Sequence, residues 1–302
     1  MNVSARRRAL AIVRSSVLAG FTLMAPAFAA TSGGLAATVA RTAPAGPATS
    51  AGSRLQPGGT SGLTGPGTLH AGARNANANS TNWSGYVADR GTFMSASASW
   101  VEPAARCSSG SQYASFWVGL DGYASGTVEQ IGSEADCSGK TARYYSWYEL
   151  FPAKAVDFTN PVRPGDHLTG SVTYTGRHGF TLRLSDATRH WSHTVTGFSS
   201  KAARTSAEVI VEAPCCTKAG HVLPLADFGT VTFSGSAVNG VPLSSFDPVS
   251  VDIVSANGKK EDSISPLSSG QFGATWLNDG TSGGRTAGGH ACKLVTYALG
   301  AR

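Results

Sequence analysis

Along the last three-quarters of the chain, apolar residues alternate with polar ones in short runs, and clusters of Gly, Pro, Asn and Ser separate the runs. No long stretch shows the 3.6-residue spacing of an amphipathic helix. The alternation predicts strands at Trp83–Ala88, Ser95–Val101, Tyr113–Gly119, Val128–Ile131, Arg143–Tyr148 and His167–Tyr174. It predicts further strands at Gly179–Ser185, His190–Thr196, Ala207–Val211, Thr230–Phe233, Val249–Val254, Phe272–Trp276 and Lys293–Ala298. A weak helix candidate lies around Pro224–Phe228. Many short strands at such spacing, with no tandem repeat, predict an all-β antiparallel sandwich or barrel.

The first part of the chain reads differently. Arg6, Arg7, Arg8 and Arg14 precede an apolar stretch from Ser16 to Ala27, and Ala27-Phe28-Ala29 supplies a small-x-small cleavage pattern. Residues 1–30 are therefore expected to be a secretory signal peptide, which makes the mature protein extracellular and free of the membrane. From residue 31 to 79 the chain is built from Ala, Gly, Ser, Thr and Pro and contains no Phe, Trp or Tyr. It cannot bury enough apolar area to offset its conformational entropy, so a disordered linker or pro-segment is expected there. All six Trp and all five Cys lie beyond it, and the folded domain is placed at 80–302.

The net charge of +6 suggests a polyanion ligand until its distribution is followed. Residues 1–79 hold seven Arg and neither Lys nor any acid, leaving 17 of 24 basic residues against all 18 acidic ones in the domain. A net charge of −1 there gives no basic surface to displace counterions, so nucleic acid is excluded as a partner. Five Cys fit an oxidising compartment but cannot all pair with one another. The simplest arrangement joins Cys107 to Cys137 and leaves one of Cys215 and Cys216 for Cys292, though sequence alone does not fix the connectivity.

Several chemistries can be set aside. No HExxH, CxxC or phosphate-loop pattern occurs, and His190 and His193, three apart in an expected strand, fall on opposite faces. No metal or cofactor is expected. Gly280-Thr281-Ser282-Gly283-Gly284 fits G-x-S-x-G, but it lacks the strand before and helix after that a nucleophile elbow needs.

Acidic residues are scarce, so their placement is informative. Glu208 and Glu212 in Ala-Glu-Val-Ile-Val-Glu share one strand face with Ile210, roughly 13 Å apart, too far to share a proton. Trp117, Gly119 and Asp121 share a face in the next polar cluster. Gln130 shares one with Val128 and Gly132, where an amide either caps a core network or meets a ligand. A third cluster, Tyr144 to Pro152, is dense in aromatic residues and suits a groove wall.

Taken in order, Asn82-Trp83-Ser84-Gly85-Tyr86-Val87, Trp117-Val118-Gly119-Leu120-Asp121-Gly122, Gln130-Ile131-Gly132 and Trp147-Tyr148-Glu149 with Pro152 resemble the glutamic peptidases, or eqolisins. Pro164-Gly165-Asp166, Ala207 to Glu212 and Ala226 to Phe233 continue the series. The resemblance implies two curved antiparallel sheets in a lectin-like jelly roll, with a Gln and a Glu on the floor of an open concave face. The catalytic pair would be Gln130 and Glu212. Trp83, Trp117, Asp121, Glu149 and Glu208 match residues that line or buttress the groove, and Glu134 stands where the family has an Asp. The implied reaction is hydrolysis of peptide bonds in proteins, without metal or acyl-enzyme and favoured by acid, in a secreted monomer. Glu212 would take a proton from water, and Gln130 would hold that water and donate to the oxyanion. The alternative is a non-catalytic lectin-like sandwich that binds glycans or peptides through Trp83, Trp117 and Trp147.

Overall fold

The computed structural model describes residues 77–214, 222–255 and 257–281. In chain order the strands are β1 (Asn77–Ser80), β2 (Trp83–Ala88), β3 (Ser95–Val101), β4 (Ser111–Leu120), β5 (Val128–Ser138) and β6 (Thr141–Phe151). They continue with β7 (Val156–Asp157), β8 (His167–Gly176), β9 (Gly179–Asp186), β10 (Trp191–Phe198) and β11 (Ala207–Glu212). The last are β12 (Thr230–Val238), β13 (Val241–Pro242), β14 (Val249–Ile253), β15 (Asp262–Ile264) and β16 (Phe272–Trp276). One sheet runs β1-β14-β2-β11-β4-β5-β6-β7, and the other runs β10-β9-β8-β3-β12-β16-β15 with β13 beside β12. Every strand pair is antiparallel except β1 with β14.

The burial of each strand follows from what covers its two faces. In β9 the side chains alternate: Phe180, Leu182 and Leu184 are buried between the sheets, while their neighbours are more exposed. Strand β2, by contrast, is buried at every residue, and β11 at all but its last. Their inward faces join the core, where Phe233 meets Trp100 and Phe272 at centroid distances of 5.9 and 5.1 Å and Phe116 meets Phe228 at 5.6 Å. Their outward faces join a second apolar layer around Trp83, Trp117, Trp147 and Ile210. Burying each such side chain contributes about 1.5–3 kcal/mol. That second layer is the one that the resemblance makes the floor of a groove.

Twelve of the expected strands are present, and Lys293–Ala298 lies outside the described residues. Pro224–Phe228 is not a helix. Tyr113 donates to the Pro224 carbonyl and Ala226 donates to the Tyr113 carbonyl, at 2.8 and 2.9 Å, which draws the segment out as an isolated parallel bridge. Asn77 to Asn79, expected in the polar linker, instead form edge strand β1, with Ser250 Oγ bonded to Asn77 Oδ1 at 2.6 Å. The rest of the expected linker and the expected signal peptide lie outside the described residues, as do Cys215, Cys216, Ser282 and Cys292.

Cys107 and Cys137 form a disulfide across a separation of 30 residues, tying the loop before β4 to the end of β5. Replacing both by Ser should lower unfolding free energy by about 3 kcal/mol, the loop-closure entropy returned to the unfolded chain. Urea titration with and without the pair measures this, and an unchanged midpoint would contradict it.

Candidate active site

Strands β2, β11, β4, β5 and β6 lie in register, so their outward side chains fall into rows. One row holds Trp83, Glu212, Ser115, Glu134 and Tyr145. The next holds Gly85, Ile210, Trp117, Gly132 and Trp147, and the third Val87, Glu208, Gly119, Gln130 and Glu149. Gln130 and Glu212 thus sit on diagonal corners, two strands and four residues apart, with Trp117 at the centre.

The glycines explain how an indole can occupy that centre. A Cβ at Gly132 would lie 2.3 Å from the Phe116 carbonyl oxygen and 2.6 Å from Trp117 Cβ; one at Gly119 would lie 2.9 Å from Trp117 Cζ3. With both side chains missing, Trp117 lies down on the sheet, wholly buried, with Trp83 edge-on at 4.8 Å between centroids. Its Nε1 donates to Glu212 Oε2 at 2.9 Å, and Asn82 Nδ2 donates to Oε1 at 3.1 Å. The nearby Trp83 indole also favours the charged form of the same carboxyl. Glu212 is therefore fixed in direction although it is only partly buried.

Gln130, 7% exposed, donates from Nε2 to Glu149 Oε2 at 2.7 Å. Gln130 Oε1 and Glu149 Oε1 accept no hydrogen bond. The groove thus holds one free amide oxygen and one oriented carboxyl on opposite sides of a tryptophan.

Burial dominates the electrostatics here. It pushes Glu212 up to about 8; the Glu149 charge adds to this, and the Trp117, Trp83 and Asn82 donors partly offset it. Glu149 rises to about 7 through burial, eased by Gln130. Burial raises Glu134 well above the usual carboxylate range, with Asp136 and Glu212 adding repulsion, and lifts Asp136 to about 6. Glu208, wholly buried in the third row, is likewise held well up by burial.

The other expected residues have distinct positions. Asp121 does not continue the face of Trp117 and Gly119, because its φ of 68° turns it out of the strand. Its carboxylate accepts from the backbone N–H groups of Arg204 and Thr205 at 2.7 and 2.9 Å, binding that loop to the end of β4. Glu134 is buried in the row of Glu212, two strands away, with Ser115 between them. His193 stacks on Phe158 at 4.3 Å and bonds Asn160, while His190 is exposed in the preceding turn. Trp83, Trp117 and Trp147 are at most 4% exposed, which leaves little ring face on which a sugar could stack. Asn82 escaped the sequence reading as a site residue: it precedes its strand, where alternation assigns no face, although it stands next to Trp83. Among the described residues, no three His, Cys, Asp or Glu side chains are grouped to hold a metal.

A two-sheet sandwich with a carboxyl and a carboxamide on its open face is the framework of a glutamic peptidase. Residues 81–272 match the Peptidase A4 family, and the chain belongs to this family of glutamic peptidases, the eqolisins. Scytalido-glutamic peptidase, solved with a transition-state analogue inhibitor, is 26% identical, with a TM-score of 0.57 over 65% of this chain and 98% of that one. SCP-B, an eqolisin solved with the tripeptide Ala-Ile-His, is 24% identical, with a TM-score of 0.54 over the same shares. Aspergilloglutamic peptidase from Aspergillus niger is 26% identical, with a TM-score of 0.48 over 55% of this chain and 99% of that one. No match is found among curated protein sequences.

The raised carboxyls fix how stability should depend on pH. Glu102, Glu129 and Glu212 hold their protons to about 8, Glu149 and Asp262 to about 7 and Asp136 to about 6 when folded, against ordinary values of 4.5 for Glu and 3.8 for Asp. The folded chain therefore binds more protons than the unfolded one above pH 4. Its stability is fully present below that point and is lost as pH rises through 6, 7 and 8. Thermal melts should show Tm falling by roughly 10 °C or more between pH 4.5 and 8. A flat or rising Tm across that window would contradict the burial of these acids.

Proposed function

We propose that the protein is a secreted, metal-independent endopeptidase in which Glu212 and Gln130 activate one water against a peptide bond. The observation that carries this reading is the fixed direction of the Glu212 carboxyl, held by Trp117 and Asn82, across the groove from the unpartnered Gln130 Oε1. Glu212 as carboxylate takes a proton from the water as it attacks the scissile carbonyl. Gln130 accepts from that water through Oε1 and donates through Nε2 to the oxyanion. Glu212 then returns the proton to the leaving amine, so the enzyme ends in its starting state. Protein and peptide chains are the substrates, as in the family. The Cys107–Cys137 disulfide supports an oxidising, extracellular destination.

The raised Glu212 pKa bears on the acid optimum that the resemblance implies. The base form grows as pH climbs towards about 8, while the fold weakens over the same range. Activity is therefore expected in weakly acidic to neutral solution, with kcat/KM still rising well above pH 4.5.

Glu212→Gln keeps the shape and removes the base, so turnover of a protein substrate such as casein should fall at least ~10³-fold with Tm level or higher. Gln130→Ala should cost about 10²- to 10³-fold, as for loss of one oxyanion donor. Because both groups serve one water, the double variant should lose far less than the product of the single losses. A chelator should have no effect. Near-normal turnover by a folded Glu212→Gln protein would end this reading.

A further inference from the structure

Glu149 lies directly across the ladder from Gln130, 2% exposed, and the hydrogen bond between the two side chains is 2.7 Å long. An ionised carboxylate can only accept, so it must meet the amide at its NH₂ end, which is the end wanted for the oxyanion. A neutral carboxylic acid can donate, and rotating the amide by half a turn would present Oε1 to it and leave both Nε2 hydrogens for the groove. The oxygens that would be needed, Gln130 Oε1 and Glu149 Oε1, have no competing partner.

We propose that Glu149 is a positioning residue whose protonation switches Gln130 between two orientations: the carboxylate engages the amide NH₂, and the neutral acid donates to Oε1 and turns the NH₂ into the groove. This rests on the peptidase reading of Gln130. The proton stays on Glu149 throughout turnover, so the hydrolytic step still balances. With Oε1 turned to Glu149, however, the attacking water is held by Glu212 alone while Gln130 Nε2 donates to the oxyanion. A carboxylate beside the amide would also place a negative charge one hydrogen bond from the developing oxyanion, opposing it.

The groups that bear on Glu149 are few. Gln130 reaches it from β5, and Glu212 acts on it from β11 across the groove. Glu208, on β11, shares its row, with Gly119 of β4 contributing no charge. Asp157 on β7 is raised by burial and eased by the charge of Arg143, and Lys154 in the β6–β7 turn is exposed. Burial raises Glu149 to about 7, so the switch would operate in the range where the Glu212 base form is growing.

The test is the pH profile of kcat/KM for Glu149→Gln, with folding checked at each pH by circular dichroism. The Gln side chain imitates the neutral acid, because its own NH₂ can donate to Gln130 Oε1. Activity near pH 6 should stay within about threefold of wild type. The alkaline limb should move up by about one pH unit or more, and the acid limb should move down because the charge facing Glu212 is gone. An unchanged profile, or an equal loss at every pH, would overturn the proposal. A second measurement uses the full-length Glu212→Gln protein, in which the side-chain amide protons of Gln130 are followed by NMR. One of them should move downfield as pH rises through about 7, as a carboxylate acceptor forms; no movement would overturn the switch. That spectrum also separates the two readings: turnover by Glu212→Gln would sink the peptidase dyad, whereas the amide titration judges the switch by itself.

Discussion

The groove depends on one contact, the flat seating of Trp117 on a patch of sheet without side chains. Gly119 and Gly132 clear the space, and neither could carry a Cβ without meeting Trp117 or the backbone beneath it. Only in that position does the indole N–H meet Glu212, and only there can Trp83 close over it edge-on. The apolar floor and the orientation of the carboxyl are consequences of the same packing. A large ring held by glycines is also rigid, which suits a group that must aim a carboxyl without following it.

Burial on both faces of the central strands has a second effect. Glu208, Glu134, Glu149 and Glu129 all sit within a sheet that has little contact with water, and each holds its proton far above the ordinary range. Few cations share that environment. None of the ion pairs among the described residues includes one of these four acids, and that of Lys260 with Asp252 lies towards the edge of the sheet, on β14. A carboxylic acid, unlike a carboxylate, can both donate and accept, so a protonated site can be satisfied by serines and amides instead of lysines and arginines.

Alternation along single strands made much of this legible in the sequence. The shared face of Glu208, Ile210 and Glu212, and that of Val128, Gln130 and Gly132, follow from a period of two and need no partner. What joins those faces is the register between strands, and no local pattern encodes it. The insertion of β11 between β2 and β4 brings residues more than a hundred positions apart into one row, which only the assembled sheet defines. Strands β1, β7, β13 and β15 went unread because each has at most four residues, too few to show a period. Asp121 leaves the face that its spacing from Trp117 and Gly119 predicts, because a left-handed residue breaks the alternation just where it matters.

The position of β11 in the sheet also constrains when the protein can become a protease. Its neighbours β2 and β4 belong to the first third of the folded domain, yet the strand that bears Glu212 is eleventh in chain order. Until the ribosome has passed residue 212, the gap between β2 and β4 is empty, and Trp117 has no carboxyl to hold. The hydrolytic groove is therefore completed late, after most of the chain that it could attack has been made. A shortened product that stops before β11 would leave Trp117 without the carboxyl it holds, so the topology delays completion of this face of the sheet until most of the domain exists.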